Sequence, residues 1–333
     1  MIRGHRGSML VAAVWALLLL GTFSISLSFG VRQKAALLQR VSALDAVYPI
    51  AYSGVETARG LIHSDADKEL DAFGDIWAFP PPQEVAAAGK FQYVTDGGTG
   101  IVDEQRKVNL NKTSPEILVR LLRDVSGLPE AKADDLAYSL LDWIDSDEFF
   151  GHPQYGAEDR YYKGLDVSYE AKDAPFEVID ELLLVKGLTA EVFEKIRPFV
   201  TIYGNGRVNV NTAPRAVLYA MGFSAEAVAH IDRCRVGEDG KNGTADDTYF
   251  TSASQIPATV MAVTGRELDV SQTVVLDGLI AADRVGVGSE YFSVTSRGVL
   301  ASSGASADVE AVLDEKGRVW YQRAMKVTWP SRQ

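Results

Sequence analysis

The sequence predicts an α+β protein: one long N-terminal helix packed on an antiparallel sheet, the sheet interrupted by a large all-α insertion. Three observations lead there. An uncharged apolar run near the N-terminus passes directly into an amphipathic pattern. Strand-like segments gather on both sides of a long helical block. Inside that block one phrase is written twice, KVNLNKTSPEILVRLL from Lys107 to Leu122 and RVNVNTAPRAVLYAMG from Arg207 to Gly222.

The apolar run extends from Ser8 to Val31 without a charged residue, behind the short basic stretch MIRGHRG. A helix crosses a bilayer with about 20 apolar residues, so this run is long enough. A cleaved secretory signal is the rival reading, with an apolar core of only about 7–15 residues. Ser24, Ser26 and Ser28 imitate its small-residue end, but the length of the run and the lack of an Ala-x-Ala site favour a retained span. Arg3 and Arg6 precede the run while Arg32, Lys34 and Arg40 follow it, so charge alone does not orient it. Beyond the run, Leu37, Val41, Leu44, Val47, Ala51, Val55, Ala58 and Ile62 recur at spacings of three and four, one face of an amphipathic helix. Pro49 predicts a kink or a break in it.

After a corner at Phe79-Pro80-Pro81-Pro82, Lys90 to Asn111 reads as short strands with turns at Asp96-Gly97-Gly98 and Asp103-Glu104-Gln105. Near the other end, SEYFSVTSRGVLAS and SADVEAVLDEKGRVWYQRAMKVTWP read as a strand meander, with Phe292, Val294 and Val299 on one face and Val309, Ala311 and Val312 less regular. Asp314 to Gly317 forms its turn. From about Thr113 to Leu279 the pattern is mainly helical.

Composition narrows the function. At 333 residues the chain has room for two or three cores, and 45 acidic against 33 basic residues give a net charge of −12. Phosphate binding depends on Lys and Arg, so this balance argues against a nucleic-acid partner. One cysteine, Cys234, excludes an internal disulfide and any multi-cysteine metal site. His5, His63, His152 and His230 are scattered without the partners nucleophilic catalysis needs, and GVGS near Val287 is too short a signal for a phosphate loop. An enzyme is the least supported class.

The helical block holds four helix–glycine–helix turns, at Gly127, Gly187, Gly222 and Gly265. They have the outline of helix-hairpin-helix units, and with VNVNTAP they resemble DNA-binding proteins of natural competence. A phosphate-gripping hairpin carries a second glycine two positions on, so that backbone N–H groups approach the phosphate. Here that position holds Pro129, Thr189, Ser224 or Glu267. Thr and Ser read as N-caps, and Glu130, Glu191, Glu226 and Glu267 take the place a phosphate would need. The repeat is expected to build scaffold.

Two loops are rich in carboxylates. Asp142, Asp145, Asp147, Glu158 and Asp159 lie within DWIDSDEFFGHPQYGAEDRYY, and offer hard oxygen ligands of the kind Ca²⁺ takes. Their spacing is not that of an EF-hand, and a solvated loop whose acids cap helices fits it equally well. The second loop, GEDGKNGTADD, offers Glu238, Asp239, Asn242, Asp246 and Asp247; an ordinary exposed turn is favoured there.

A basic leader ending in Gly7, an apolar span and an amphipathic stalk resemble the N-terminus of type IV pilins and type II secretion pseudopilins. Asp142-Trp143-Ile144-Asp145-x-Asp147, Gly156-Ala157-Glu158-Asp159, Pro175-Phe176, Val185-Lys186-Gly187-Leu188 and Val208 to Pro214 narrow the resemblance to the minor pseudopilin K family. It implies cleavage by a prepilin peptidase between Gly7 and Ser8, methylation of the new terminus, and a tip position in the pseudopilus. Ala12 stands where most pilins carry Glu, as in tip subunits that have no neighbour above them; a bare carboxylate there would only cost free energy. The family also implies bound Ca²⁺, I-, J- and H-type pseudopilins and the inner-membrane assembly platform as partners, and an inner-membrane location with residues after about 32 in the periplasm. The loop GHPQYGAED and Lys172-Asp173-Ala174 depart from the family pattern, which leaves individual ligands open.

The expected organisation is a leader at 1–7, a transmembrane half-helix at 8–31 and a periplasmic half-helix at 32–66. A first part of the pilin-like body follows at 67–111. The helical insertion of helix-hairpin-helix or SAM-like units spans 112–285, in subdomains of about 112–203 and 204–285. A meander at 286–333 completes the body. The expected function is export of folded proteins as a minor pseudopilin that helps start and cap the filament. A membrane-anchored competence receptor for DNA is the alternative, and a calcium-dependent periplasmic adaptor is a third reading.

Overall fold

The structure is a computed structural model that describes residues 6–85, 88–94, 100–325 and 327–329. Residues 1–5 of the leader and the Asp96–Gly98 turn lie outside the described residues.

Helix α1 (Arg6–His63) runs unbroken for 58 residues, about 87 Å at 1.5 Å per residue. Gly7 and Ser8 sit in its first turn. Pro49 does not break it. The proline ring faces solvent, where the one lost N–H bond leaves a carbonyl that water can reach. The neighbours Val47, Ile50 and Ala51 are buried on the sheet and hold the turn in place. The buried face starts only at Ala43 and continues through Val47, Ile50, Ala51, Val55, Ala58 and Ile62. Leu37, Leu38 and Val41, one to two turns earlier, are exposed.

The sheet contains β1 (Gln83–Val85), β2 (Gly89–Tyr93), β3 (Ile101–Asp103), β8 (Tyr291–Leu300), β9 (Ser306–Asp314) and β10 (Val319–Ala324). Its order is β1-β2-β8-β9-β10, and β3 pairs with the first half of β8 where β2 pairs with the second. All pairings are antiparallel. Alternate residues of β8 from Phe292 to Leu300 are buried, and α1 packs on β8, β9 and β2. Val299, expected beside Phe292 and Val294, is on the other face. Strand parity gives the buried places to Ser296 and Gly298, small residues that let the helix come close.

The insertion is two copies of one plan over a shared apolar core. The first copy opens with β4 (Val108–Asn109), passes through α2 (Pro115–Val125), α3 (Glu130–Asp142), α4 (Asp159–Tyr162) and α5 (Ala190–Ile196), and closes with β5 (Val200–Thr201). The second opens with β6 (Val208–Asn209), passes through α6 (Arg215–Met221), α7 (Ala225–Val236), α8 (Ile256–Thr264) and α9 (Val270–Ala281), and closes with β7 (Val285–Gly286). β4 pairs parallel with β5, and β6 with β7. Val108–Asn109, placed by the sequence reading with the body at 67–111, instead opens the first repeat and pairs with its closing strand. α2 packs on α6, and Arg120 Nε donates to the Ala220 carbonyl across that contact.

The doubled phrase has a physical cause. Asn111 accepts from the Phe176 N–H and donates to the Phe176 and Ile202 carbonyls. Asn211 accepts from the Phe250 N–H and donates to the Phe250 and Val287 carbonyls. In each repeat one amide, half-buried at Asn111 and buried at Asn211, thus satisfies an irregular segment and the end of the closing strand together.

Candidate functional site

Helix α3 ends at Asp142, whose side chain is fully buried. Apolar packing explains that depth: Trp143, next in the chain, meets Tyr162 and Tyr169 edge to face at 5.0 and 6.2 Å. Asp142 Oδ1 accepts from the Gly151 N–H and Oδ2 from the Ala157 N–H, both at 3.0 Å, which ties the loop to the helix end. Gly156 has φ 116°, and a Cβ there would meet Asp142 Oδ2 at 2.0 Å, so only glycine lets the chain pass. The next turn brings Glu158 in at the start of α4.

Asp142, Asp145 and Glu158 each offer an oxygen within 4.8 Å of the others. Glu158 is buried, and its Oε1 has no hydrogen-bond partner among the described residues. Burial, then the charges of Asp142 and Asp145, push the Glu158 pKa to about 8. Burial raises Asp142 to about 6 and lifts Asp145 as well. Carboxylates that have lost water and repel one another fit a divalent cation, which satisfies the orphaned oxygen and offsets the charge.

Two of the five expected ligands stay outside this group. Asp159 pairs with Lys163 at 2.5 Å and accepts from the Ala171 N–H, and the Lys163 bond holds its pKa below the usual range. Asp147 is exposed and accepts from the Phe149 N–H at 2.8 Å, an ordinary turn role. His152 packs against both Tyr138 and Tyr155, with ring centroids at 4.7 and 4.8 Å.

In the second loop Asp239, Asp246 and Asp247 come within 4.8 Å of one another, and Glu238 does not join them. Glu238 points to solvent, and the Asn242 side chain is exposed. The electrostatics are opposite to those of the first loop. Thr244 Oγ1 and the Asp239 and Glu238 N–H groups donate to Asp246 and hold its pKa down at about 2. Asp247 accepts from Gly243, Thr244 and Tyr249. Donors already satisfy this turn.

A third acidic group, Asp65, Asp71 and Asp75, was not singled out in the sequence. Its only signal is the acid-rich stretch SDADKELDAFGD. Lys68 lines the same crevice, and Asp71 accepts from the Ser289 N–H at 2.7 Å. Asp71 belongs to a buried joint between body and insertion, where Asp103 Oδ2 accepts from Asn209 Nδ2 and Thr212 Oγ1.

The hairpin turns carry positive-φ glycines at 127, 187, 222 and 265. Thr189 accepts from the Val192 N–H and Ser224 from the Ala227 N–H, so both are N-caps. Glu130 pairs with Arg123 and Glu191 with Lys195 at those helix starts. Capped, acid-bearing turns do not support the DNA-receptor alternative.

Residues 99–205 match the family model for the type II secretion system, protein K. Type II secretion system protein K of Pseudomonas aeruginosa is 27% identical over 237 residues, covering 66% of this chain and 69% of the relative. The Klebsiella pneumoniae protein of the same name is 29% identical over 239 residues, covering 65% and 70%. The chain is similar to type II secretion system protein K. A solved complex, the GspK-GspI-GspJ complex from enterotoxigenic Escherichia coli, contains a chain of the same fold. That likeness has TM-score 0.63 and 19% identity, and covers 86% of this chain and 98% of that one. Against this protein K fold, the acidic loop lies within the matched region and α1 begins well before it.

Proposed function

We propose that this chain, a minor pseudopilin of a type II secretion system, is the tip subunit that helps start and cap the pseudopilus. The observation that carries the reading is the division of α1. From Met9 to Val31 its large apolar side chains are exposed, in a helix long and apolar enough to cross a membrane, while Val47 to Ile62 are buried on the chain's own sheet. The first part is the anchor in the inner membrane, and the chain after about residue 32 is periplasmic. Leu37, Leu38 and Val41, exposed just beyond the anchor, are the surface for partner stalks. Those partners are I-, J- and H-type pseudopilins; the solved complex that shares this fold joins its K chain to I and J chains. Prepilin peptidase cuts between Gly7 and Ser8, the new terminus is methylated, and the assembly platform receives the subunit. Asp142, Asp145 and Glu158 hold Ca²⁺, which ties the acidic loop to the end of α3.

The test is co-expression with the peptidase and the three partner pseudopilins. Wild type should lose seven residues and co-purify with partners. Gly7→Val should stay full length, and Leu38→Asp or Val41→Asp should lose partners while remaining folded. A mature N-terminus near Ser28, or partner recovery unchanged in both aspartate variants, overturns the reading.

A further inference from the structure

Between the outer face of the sheet and the insertion lies a cleft of about 450 Å³, the size of many small-ligand sites. Its apolar wall includes Val102, Phe199 and Met325. Most of its charged residues are matched. Lys107 pairs with Glu104 at 2.6 Å, Arg197 with Glu310 at 2.8 Å, and Asp308 with Arg297 at 2.7 Å. Arg106 is the exception. It makes no ion pair or hydrogen bond among the described residues, and its Nε is buried without a partner. The acids beside it are already engaged. Asp103 takes the Gln105 N–H, Asn209 and Thr212, and Glu104 takes Lys107 and Thr201. The guanidinium rests 5.6 Å from the Phe73 ring centroid, which orients it without neutralising it.

A half-buried guanidinium whose Nε has no partner is stabilised by an anion or another acceptor, and its planar fork matches a carboxylate. Asp308 and Glu310 in the same wall oppose a dianion such as phosphate, and the apolar wall has no use for a small hydrated ion. We propose that this cleft binds a carboxylate carried on a small apolar body, with Arg106 holding the carboxylate and Val102, Phe199 and Met325 receiving the apolar part. The group comes from a free short-chain acid or from a Glu side chain flanked by apolar residues in a peptide segment.

Met325 reports on occupancy. The full chain in lipid nanodiscs, labelled with ¹³C-methyl methionine and with Met325 assigned by Met325→Leu, is titrated with isobutyrate against its neutral isostere isobutyramide. A parallel titration uses the capped tripeptide Leu-Glu-Leu against Leu-Gln-Leu. At least one anion should shift the Met325 methyl saturably, at least tenfold more tightly than its neutral counterpart, and the anion that does so names the source. Arg106→Met should weaken binding at least tenfold, and Arg106→Lys, which keeps charge but not the fork, about threefold or more. The lysine variant decides the matter if the methionine variant does not fold. No saturable shift with either anion overturns the proposal, and so does equal binding of the neutral isosteres or wild-type affinity in both variants.

Discussion

A Cβ placed on Gly298 in β8 would lie 2.6 Å from the backbone nitrogen of Ala51 in α1 and 2.9 Å from the Val47 carbonyl oxygen. The long helix therefore rests on the sheet at backbone contact. Gly298→Val should force α1 away and lower stability by about 1–3 kcal/mol, the usual cost of overpacking. Gly60→Ala is the control. That position lies in the same helix with nothing within 4 Å of a new Cβ, so it should gain about 0.5–1 kcal/mol. Thermal unfolding of both variants measures this. A tolerated valine would mean that the helix seat is not fixed at this point.

The Asn211 clamp leads to a second expectation. Asn211→Leu leaves the Phe250 N–H and the Phe250 and Val287 carbonyls without their shared partner. The cost should be about 2–4 kcal/mol, from buried polar groups left unmade. Asn111→Leu should do the same in the first repeat, where the equivalent bonds reach Phe176 and Ile202. Denaturant titration reads both; a loss under about 0.5 kcal/mol in each would remove the clamp as the reason for the doubled phrase.

Much of the fold is legible in the sequence because it is written in length and period. The 58-residue helix is a long apolar and amphipathic register, and the two repeats share Val-Asn-apolar-Asn. The misreadings have local causes. Ser296 and Gly298 line the buried face of β8 without any apolar signal, so Val299 was drawn to the wrong side. Strands of two residues, such as Val108–Asn109, pair with partners some ninety positions away, and no local pattern says which unit they belong to. At the site, sequence shows that five acids are near one another. It does not show that Lys163 claims Asp159, or that burial leaves Glu158 Oε1 alone. The Asp71–Asp103–Asn209 joint is invisible for the same reason, since its members are far apart in the chain.

That joint predicts a pH dependence. Burial first, then the nearby Asp103 charge, raise Asp71 from 3.8 to about 8, against the Ser289 N–H that lowers it. The folded state binds this proton more tightly than the unfolded chain. Its contribution to stability is therefore complete below about pH 4 and is lost as pH rises through about 8. Asp71→Asn keeps an acceptor for Ser289 and cannot ionise. It should be more stable than wild type at pH 8.5 by about 1–2 kcal/mol, with the difference shrinking toward pH 5. Parallel stability curves for the two proteins from pH 5 to 8.5 would contradict this.

The acidic loop gives the last expectation, in which one substitution should act in opposite directions with and without metal. Without a cation, Glu158 stands buried beside Asp142 and Asp145 with Oε1 unpaired. Glu158→Gln removes a carboxyl that folding forces either to take up a proton or to face two like charges, so in chelator the variant should be more stable than wild type, by about 1 kcal/mol. With Ca²⁺ the order should reverse, because the variant has lost a charged ligand. A ligand bound only to the folded state adds RT ln(1 + [L]/Kd), so calcium at about a hundred times Kd stabilises wild type by roughly 2.7 kcal/mol. Chelator should then lower the wild-type Tm by several degrees and leave Asp145→Ala/Glu158→Gln nearly unmoved. Asp147→Ala, which removes only an exposed turn acceptor, should respond as wild type does. Tb³⁺ offers an independent readout, since Trp143 follows Asp142 in the chain and packs on Tyr162 beneath the loop. Excitation of the tryptophan should sensitise Tb³⁺ emission in wild type and in Asp147→Ala, with Ca²⁺ competing it away, and not in the double variant. If chelator leaves the Tm unchanged and Tb³⁺ stays dark, the three carboxylates hold no metal, and Glu158→Gln should then be the more stable protein under every condition.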